Sequence, residues 1–506
     1  MKIIEGIKKY ANTDRIALKC DGEELSYKDL DRFSESIGSY LKEIHNDNTP
    51  ILIYGNKDNL IVPCMIGALK SGRAYIPLDV TFPVERVLTV SEEVEPKIIF
   101  NFTDSAKEEF GTKVKVIDKE DIKKIIEDYK NEVIDKSSWV KEDENAYMLF
   151  TSGSTGKPKG VQISSNNLDN FNKWIIDYLK INDSGMTILN QVSYSFDVSV
   201  IALYGGLING ATLFSLSKQT MGNYKELFKQ LEESNIELWI STPSFVGICL
   251  NEVGFNSNML PKLDSMIVLG EVLSKNLTKE ILERFPNLRM MNGYGPTEAT
   301  VAVTAIDVTD EILNDEKSIP IGYAMDGIEI KIVDKEGKEV ADGEKGELII
   351  VGKSVSKGYF KNEEKTNEVF YFEDNNGVKE RAYRAGDIAY KIDGKIYYCG
   401  RKDFQIKLNG FRIEIEDIEN NLCKVPNVRN AVVIPVYKDE KIVYLQGVVE
   451  LKEKNNLSNL KNGIIIKKEL EKLIQTYMVP RSIKIVEEFP INTNGKIDRK
   501  KLMEEM

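Results

Sequence analysis

Apolar residues recur along this chain at two spacings, and the switches between them mark out its elements. Behind Ser26, with Asp29 placed to complete a capping box, Tyr27, Leu30, Phe33, Ile37 and Leu41 form a stripe at helical spacing. That stripe is core packing. Ile51-Leu-Ile-Tyr54 then predicts a buried strand, Leu60 to Leu69 a helix, and Ala74-Tyr-Ile-Pro-Leu78 a second strand. Pro83 stands where a helix begins, and Lys97-Ile-Ile-Phe100 is again strand-like. The rhythm continues from about Gly160 to Asn292, through Glu237-Leu-Trp-Ile240 and Ser265-Met-Ile-Val268. Such alternation predicts an α/β fold with doubly wound, parallel sheets.

After about residue 318 the texture changes. Ile328 to Val333, Gly346 to Val351 and Lys395 to Tyr398 are short runs between Asp/Gly/Lys turns, predicting a small antiparallel β unit. Around Gly400-Arg-Lys-Asp403 another α/β segment starts and runs to Met506, with Lys454-Asn-Asn-Leu-Ser-Asn459 as a surface loop within it. The expected organisation is a large N-terminal domain over 1–400 and a small, mobile α+β C-terminal domain over 401–506. A length of 506 residues also exceeds what one core usually serves.

Composition narrows the function classes. A hydrophobic content of 42% with 29% charged residues is that of a soluble globular protein, and no apolar run reaches membrane-span length. A net charge of −12 lacks the basic footprint of a nucleic-acid binder. Cys20, Cys64, Cys249, Cys399 and Cys423 are scattered and never form a C-x-x-C pair, which fits a reducing cytoplasm and gives no metal site. The only histidine, His45, lies in a polar stretch and reads as a surface residue. Histidine-based triads and metal centres are therefore not expected, and the chemistry must rest on phosphates, lysines, carboxylates and bound magnesium.

The segment Thr151-Ser-Gly-Ser-Thr-Gly-Lys-Pro-Lys-Gly160 has the composition of a phosphate loop. Three glycines, four hydroxyl residues and two lysines follow the apolar run Ala146-Tyr-Met-Leu-Phe150, so backbone N–H groups can surround a phosphate chain while lysines supply charge. It is not a Walker loop: only two residues separate Gly153 from Gly156, and Pro158 follows Lys157. A flexible Ser/Gly linker seldom has this order of residues behind a buried strand. Downstream lie Asn292-Gly-Tyr-Gly-Pro-Thr-Glu298, Tyr383-Arg-Ala-Gly-Asp387, Gly400 to Glu414 and Asn494-Gly-Lys-Ile-Asp-Arg-Lys500. Each alone reads as an ordinary turn, hairpin or basic terminus.

In this order and at these separations, the motifs resemble the adenylate-forming superfamily of acyl-CoA synthetases, luciferases and peptide-synthetase adenylation domains, from roughly residue 10 to residue 503. The branch they resemble most is the D-alanine-activating carrier-protein ligases, through Tyr194 to Val200, Ser241 to Phe245, Gly270 to Leu273, Tyr294 to Val303 and Arg401 to Glu414. The resemblance implies two steps: ATP and a carboxylate give an acyl-adenylate and pyrophosphate, then a thiol takes the acyl group and AMP leaves. It also implies roles. The ATP-binding set is Thr151, Ser152, Gly153, Ser154, Thr155, Gly156, Lys159, Asn292, Gly293, Tyr294, Gly295, Pro296, Thr297, Asp387, Arg401 and Lys496. Within it, Ser152, Thr155 and Lys159 would hold the β/γ-phosphates, Tyr294 would stack on adenine and Thr297 would contact the α-phosphate. Asp387 would take the ribose hydroxyls beside Arg401, Glu298 would hold Mg²⁺, and Lys496, with Arg401, would be catalytic. A hinge near Lys402-Asp403 would present Lys496 for adenylation and the face around Lys407 to Gly410 for transfer.

By the same resemblance, Asp197, Val198, Ile201, Ile240, Leu269, Gly293, Val301 and Ala302 line the acyl pocket. In the amino-acid-activating branch a carboxylate at the position of Asp197 pairs with the substrate ammonium; a plain helix cap is the alternative reading. Phe196, where many acyl-CoA synthetases have His, points the same way. The D-alanine branch has Cys where this chain has Leu269, Thr where it has Gly293 and commonly Thr where it has Ile240. Every lining residue except Asp197 lacks a polar side chain, so an apolar substrate side chain is expected. Ala385 replaces a Thr usual in its motif, and nothing here explains that change. The expected partner is a separate carrier protein with a phosphopantetheine thiol, or coenzyme A, because no carrier domain follows Met506. The alternatives are a stand-alone peptide-synthetase adenylation enzyme for another apolar amino acid, an acyl- or aryl-CoA synthetase, and an ATP-binding pseudo-enzyme.

Overall fold

Strand follows helix through most of the chain, with boundaries close to those the apolar spacing predicts. The computed structural model describes residues 1–44, 47–151, 158–375, 377–402, 405–438, 441–453, 457–490 and 502. His45, the loop positions Ser152, Gly153, Ser154, Thr155, Gly156 and Lys157, Asp403 of the expected hinge, and Lys496 lie outside the described residues. The chain falls into two units. One comprises Met1–Asp79, Val94–Phe150 and Gly160–Lys402; the other comprises Val80–Glu93, Thr151–Lys159 and Asp403–Met506.

The first unit is organised by two mainly parallel sheets. In one, six strands lie in the order Lys115–Asp118, Ile98–Asn101, Ile51–Tyr54, Tyr75–Leu78, Asn145–Thr151 and Lys159–Ser164. In the other, nine strands run Tyr323–Ala324, Thr304–Asp307, Arg289–Tyr294, Ser265–Val268, Leu238–Ser241, Thr187–Asn190, Thr212–Ser215, Ile16–Cys20 and Glu23–Ser26. The interior strands of the nine are parallel and its edges antiparallel. Ile51–Tyr54, Tyr75–Leu78 and Ile98–Asn101 are buried along their whole length, as strands covered on both faces must be. Local chemistry sets the helix starts. Ser26 Oγ accepts from the Asp29 amide at 3.0 Å and donates to its carboxylate at 2.8 Å, opening the helix Tyr27–Ile44. Ser164 and Asn167 form a second capping box ahead of Ser165–Tyr178.

The β unit after residue 318 is antiparallel, as expected. Ile328–Val333, Gly346–Gly352, Val378–Ile392 and Phe370–Asn375 pair in that order, and Lys395–Arg401 pairs with Val378–Ile392 as well. In the second unit, the hairpin Gln405–Leu408/Phe411–Glu414 precedes a sheet of Val428–Lys438, Lys441–Leu451 and Ser482–Val486 with the helices Ile415–Leu422 and Asn459–Leu470. Asn459 thus belongs to a helix capped by Ser458 rather than to the expected loop. Within this unit the Arg86 guanidinium meets the Asp417 carboxylate at 3.0 Å, both buried. That pairing and the Thr476 N–H to Thr81 O bond at 3.4 Å join residues 80–93 to the later chain, a link that the spacing of apolar residues does not encode.

Candidate active site

In open parallel sheets, ligands gather beyond the carboxyl ends of the strands. Four parallel strands of the nine, Thr187–Asn190, Leu238–Ser241, Ser265–Val268 and Arg289–Tyr294, lie side by side. Ile240, Leu269 and Gly293 therefore fall at or just past neighbouring strand ends, with Ser241 opposite Val268 and Val268 opposite Asn292. Val198, Ile201, Ile240, Leu269, Val301 and Ala302 are all buried in one continuous core cluster together with Tyr294. That cluster extends through the first unit from Ile3 to Ile396, and within it the Gly293 and Leu269 positions adjoin. A Cβ added at Gly293 would stand 3.5 Å from Leu269 Cβ and 3.4 Å from Ile267 Cδ1, so these two positions face each other.

Asp197 is half-buried, and Thr297 Oγ1 donates to its Oδ2 at 2.6 Å. The residue expected to hold an ammonium thus touches the residue expected at an α-phosphate. The turn that achieves this is strained. After the 3₁₀ turn Thr297–Ala299, Thr300 and Val301 both have left-handed backbones, with φ of 61° and 71°. For β-branched residues that costs about 1–3 kcal/mol each and concentrates at functional sites. It is held by the Thr300 hydroxyl donating to Ser354 O at 2.7 Å and by Val303 N–H donating to Tyr294 O at 2.8 Å. Gly295 permits the fold-back: a Cβ there would lie 2.5 Å from Ala302 Cα. Pro296 precedes the turn, and the Asn292 amide donates to Pro320 O at 2.9 Å.

The two other carboxylates of the site each accept a tyrosyl hydroxyl. Tyr359 donates to Glu298 Oε1 at 2.9 Å, with Glu298 almost fully buried. Tyr294 donates to Asp387 Oδ2, while Arg401 Nη1 donates to Asp387 Oδ1 at 3.0 Å and to Ala385 O at 2.7 Å. Asp387 and Arg401 are cross-strand partners beside a β-bulge near Gly400, whose φ of 113° suits glycine. Burial, then the Asp387 charge, holds the Tyr294 phenol well above its usual range, so it remains a donor. A carboxylate is the hard oxygen ligand Mg²⁺ takes, usually one or two of them alongside substrate phosphates. Glu298 fits that role. Among the described residues no cluster of three or more His, Cys, Asp or Glu forms a metal cage, and a phosphate-borne Mg²⁺ needs none.

Of the phosphate loop, Thr151 ends the strand Asn145–Thr151, and Lys159 opens the strand Lys159–Ser164 with its ammonium 4.0 Å from the Glu414 carboxylate within the second unit. Sequence reasoning missed Tyr359, the left-handed pair at 300–301, and the π-turn Ile201–Gly206 that follows Asp197 and Val198. No periodic signal marks them; the Gly-Pro turn at 295–296 is the nearest hint. It also missed Tyr147, whose buried hydroxyl has no hydrogen-bond partner among the described residues. Burial, then Tyr75 and Asp197, raises that phenol far above its usual range.

Comparison with known proteins gives the family and the fold. A model of the AMP-binding enzyme family matches residues 8–360, and one of the AMP-binding enzyme C-terminal domain matches residues 417–496. A D-alanine–D-alanyl carrier protein ligase of Listeria monocytogenes serovar 1/2a is 42% identical over 488 residues, 96% of this chain and 95% of that protein. One of Bacillus cereus (strain AH187) is 40% identical over 509 residues, covering 100% of both chains. Among solved structures, the Vibrio cholerae adenylation domain AlmE in complex with glycyl-adenosine-5'-phosphate superposes with a TM-score of 0.82 at 21% identity, covering 100% of this chain and 96% of that one. A peptide-synthetase protein with adenylation and PCP domains, bound to a vinylsulfonamide inhibitor, gives 0.83 at 23% identity over 99% and 84%. Those two likenesses establish the fold. No helix among the described residues is long and apolar enough to cross a membrane.

Proposed function

The chain belongs to the AMP-binding enzyme family, and from that premise we propose that it adenylates an amino acid with ATP and transfers it to the phosphopantetheine thiol of a separate carrier protein. D-alanine is the first candidate substrate, in line with the full-length relatives at 40–42% identity. The observation that supports the amino-acid branch is the 2.6 Å contact between Asp197 and Thr297. An ammonium held by Asp197 leaves the carboxylate carbon of the same substrate two bonds from that nitrogen, through Cα, within reach of the proposed α-phosphate contact. The carboxylate oxygen then attacks the α-phosphorus and pyrophosphate leaves; in the second step the thiolate sulfur attacks the acyl carbonyl and AMP leaves. Thr297 contacts the α-phosphate, Tyr294 and Asp387 receive the nucleoside, and Arg401 orients Asp387. Glu298 would hold Mg²⁺, which supplies positive charge to the phosphates. Lys496, through the family resemblance, bridges the carboxylate and the phosphate during adenylation. The division into domains over 1–400 and 401–506, with a swing between the half-reactions, belongs to the same reading.

A second reading keeps the chemistry and changes the amino acid. Leu269 and Gly293 face each other, one bulkier and one smaller than in the D-alanine branch, so the cavity differs in shape. ATP–pyrophosphate exchange across a panel of D- and L-amino acids decides between the two. Exchange best with D-alanine supports the first, and exchange best with a larger apolar amino acid supports the second.

A further inference from the structure

The turn that presents Asp197 is gripped from the opposite sheet. Residues 191–200 lie between the strand ending at Asn190 and the π-turn starting at Ile201, with short turn bonds such as Phe196 N–H to Ser193 O at 3.0 Å and Val200 N–H to Asp197 O at 2.9 Å. A segment so short of regular structure takes its position from what its side chains hold. Lys57 follows the strand Ile51–Tyr54, and Asp79 follows its parallel neighbour Tyr75–Leu78, with Tyr54 opposite Leu78. Both are buried, at 6% and 3% exposure. Lys57 Nζ donates to Asn190 Oδ1 at 2.8 Å and sits 3.5 Å from the centre of the Tyr194 ring. The Asn190 amide donates onward to Tyr194 Oη and Ser215 Oγ, each at 2.9 Å. Asp79 Oδ2 accepts from Ser193 Oγ at 2.5 Å and from Asn56 Nδ2 at 2.8 Å, and Ser193 Oγ lies 3.2 Å from Ser195 Oγ.

Stability alone does not favour an amine here. Burial holds the Lys57 ammonium well below its usual range, and an apolar side chain of similar volume at such a site is often neutral or stabilising. Its geometry instead ties Asn190, the last residue of the strand, and Tyr194 to the six-stranded sheet, seven and three residues before the carboxylate that would select the substrate.

We propose that Lys57 and Asp79 are positioning residues for amino-acid selection, clamping Asn190, Ser193 and Tyr194 from the six-stranded sheet so that Asp197 stands where a substrate ammonium is held. The inference rests on the amino-acid reading above. Neither residue touches the reacting atoms; both act through the turn. The test compares pyrophosphate exchange by wild type, Lys57→Met, Asp79→Asn, Asp197→Asn and the Lys57→Met/Asp197→Asn double variant. Substrates are the best amino acid of the panel and the matching acid without its amine, propionate in the case of D-alanine. Lys57→Met and Asp79→Asn are expected to raise KM for the amino acid about tenfold, the scale of one misplaced polar contact. They should lower the amino-acid over des-amino preference by the same factor and leave KM for ATP and Tm near wild type. Added to Asp197→Asn, Lys57→Met should have no further effect on that preference, because the group it positions is gone. A purely structural role would instead lower Tm or the active fraction and scale both substrates equally. An unchanged preference in both single variants, or equal loss on both substrates, overturns the proposal. If Lys57→Met does not fold, Asp79→Asn, which keeps shape and a hydrogen bond, reads the same ratio. A wild type with no preference for the amine overturns the functional reading itself, a different result from unchanged variants.

Discussion

At the proposed nucleotide end of the site both carboxylates are already tied down, Asp387 by Tyr294 and Arg401 and Glu298 by Tyr359. At the proposed acyl end there is one half-buried carboxylate, Asp197, and the other proposed lining residues, Val198, Ile201, Ile240, Leu269, Val301 and Ala302, are all apolar and buried. The first end is organised by directed polar pairs, which fix orientation and leave little to adjust. The second combines a single charge with shaped apolar walls, which can change substrate by moving a methylene from one wall to another. Changes at the nucleotide end should therefore affect all amino acids alike, and changes at the acyl end should alter the ratios between them.

The largest effect is expected at the one charge. Asp197→Asn removes a charged partner of the substrate ammonium, a loss of about 2–5 kcal/mol, or roughly thirtyfold to several thousandfold. Exchange kinetics should show it in kcat/KM for the amino acid, with KM for ATP unchanged. Lys496→Ala should lose exchange by on the order of a hundred- to a thousand-fold for every amino acid alike, yet still pass the acyl group from supplied acyl-adenylate to a carrier protein. Equal loss in both half-reactions would contradict its assignment to adenylation.

The pocket walls come next. Leu269→Cys with Gly293→Thr should raise the ratio of kcat/KM for D-alanine to that for the best other amino acid, by about tenfold to two-hundredfold. Because a Cβ at Gly293 lies 3.5 Å from Leu269 Cβ, Gly293→Thr alone should crowd the pocket and the two changes should be non-additive. An unchanged ratio would remove these positions from substrate choice. The smallest effect is expected from Tyr294→Phe. Loss of its bond to Asp387 should raise KM for ATP about tenfold, the low end for a hydrogen bond to a charged group, and leave the amino-acid ratios as they were.

Local spacing made most of the fold legible. The run at Ser265–Val268 is a strand over those same residues, and Ser26 with Asp29 opens the predicted helix. Long-range order was not legible. Ile16–Cys20 joins the nine-stranded sheet by pairing with Thr212–Ser215 and carries Glu23–Ser26 as the far edge, a partnership that no local period encodes. Arg86 and Asp417 are likewise more than three hundred residues apart in sequence. At the candidate site, Asp197, Tyr294, Thr297 and Asp387 could be proposed from sequence because motif order survives in a linear chain. Tyr359 and Lys57 were not, because each contributes one side chain to a network whose other members come from distant segments.

The most direct test is wild-type ATP–pyrophosphate exchange with Mg²⁺ across D- and L-amino acids, fatty acids and aryl acids. A half-buried Asp197 beside Thr297, the proposed α-phosphate contact, predicts exchange that depends on an amino acid with an apolar side chain. If acids without an amino group support exchange better than every amino acid, the reading of Asp197 as the substrate's ammonium partner is wrong.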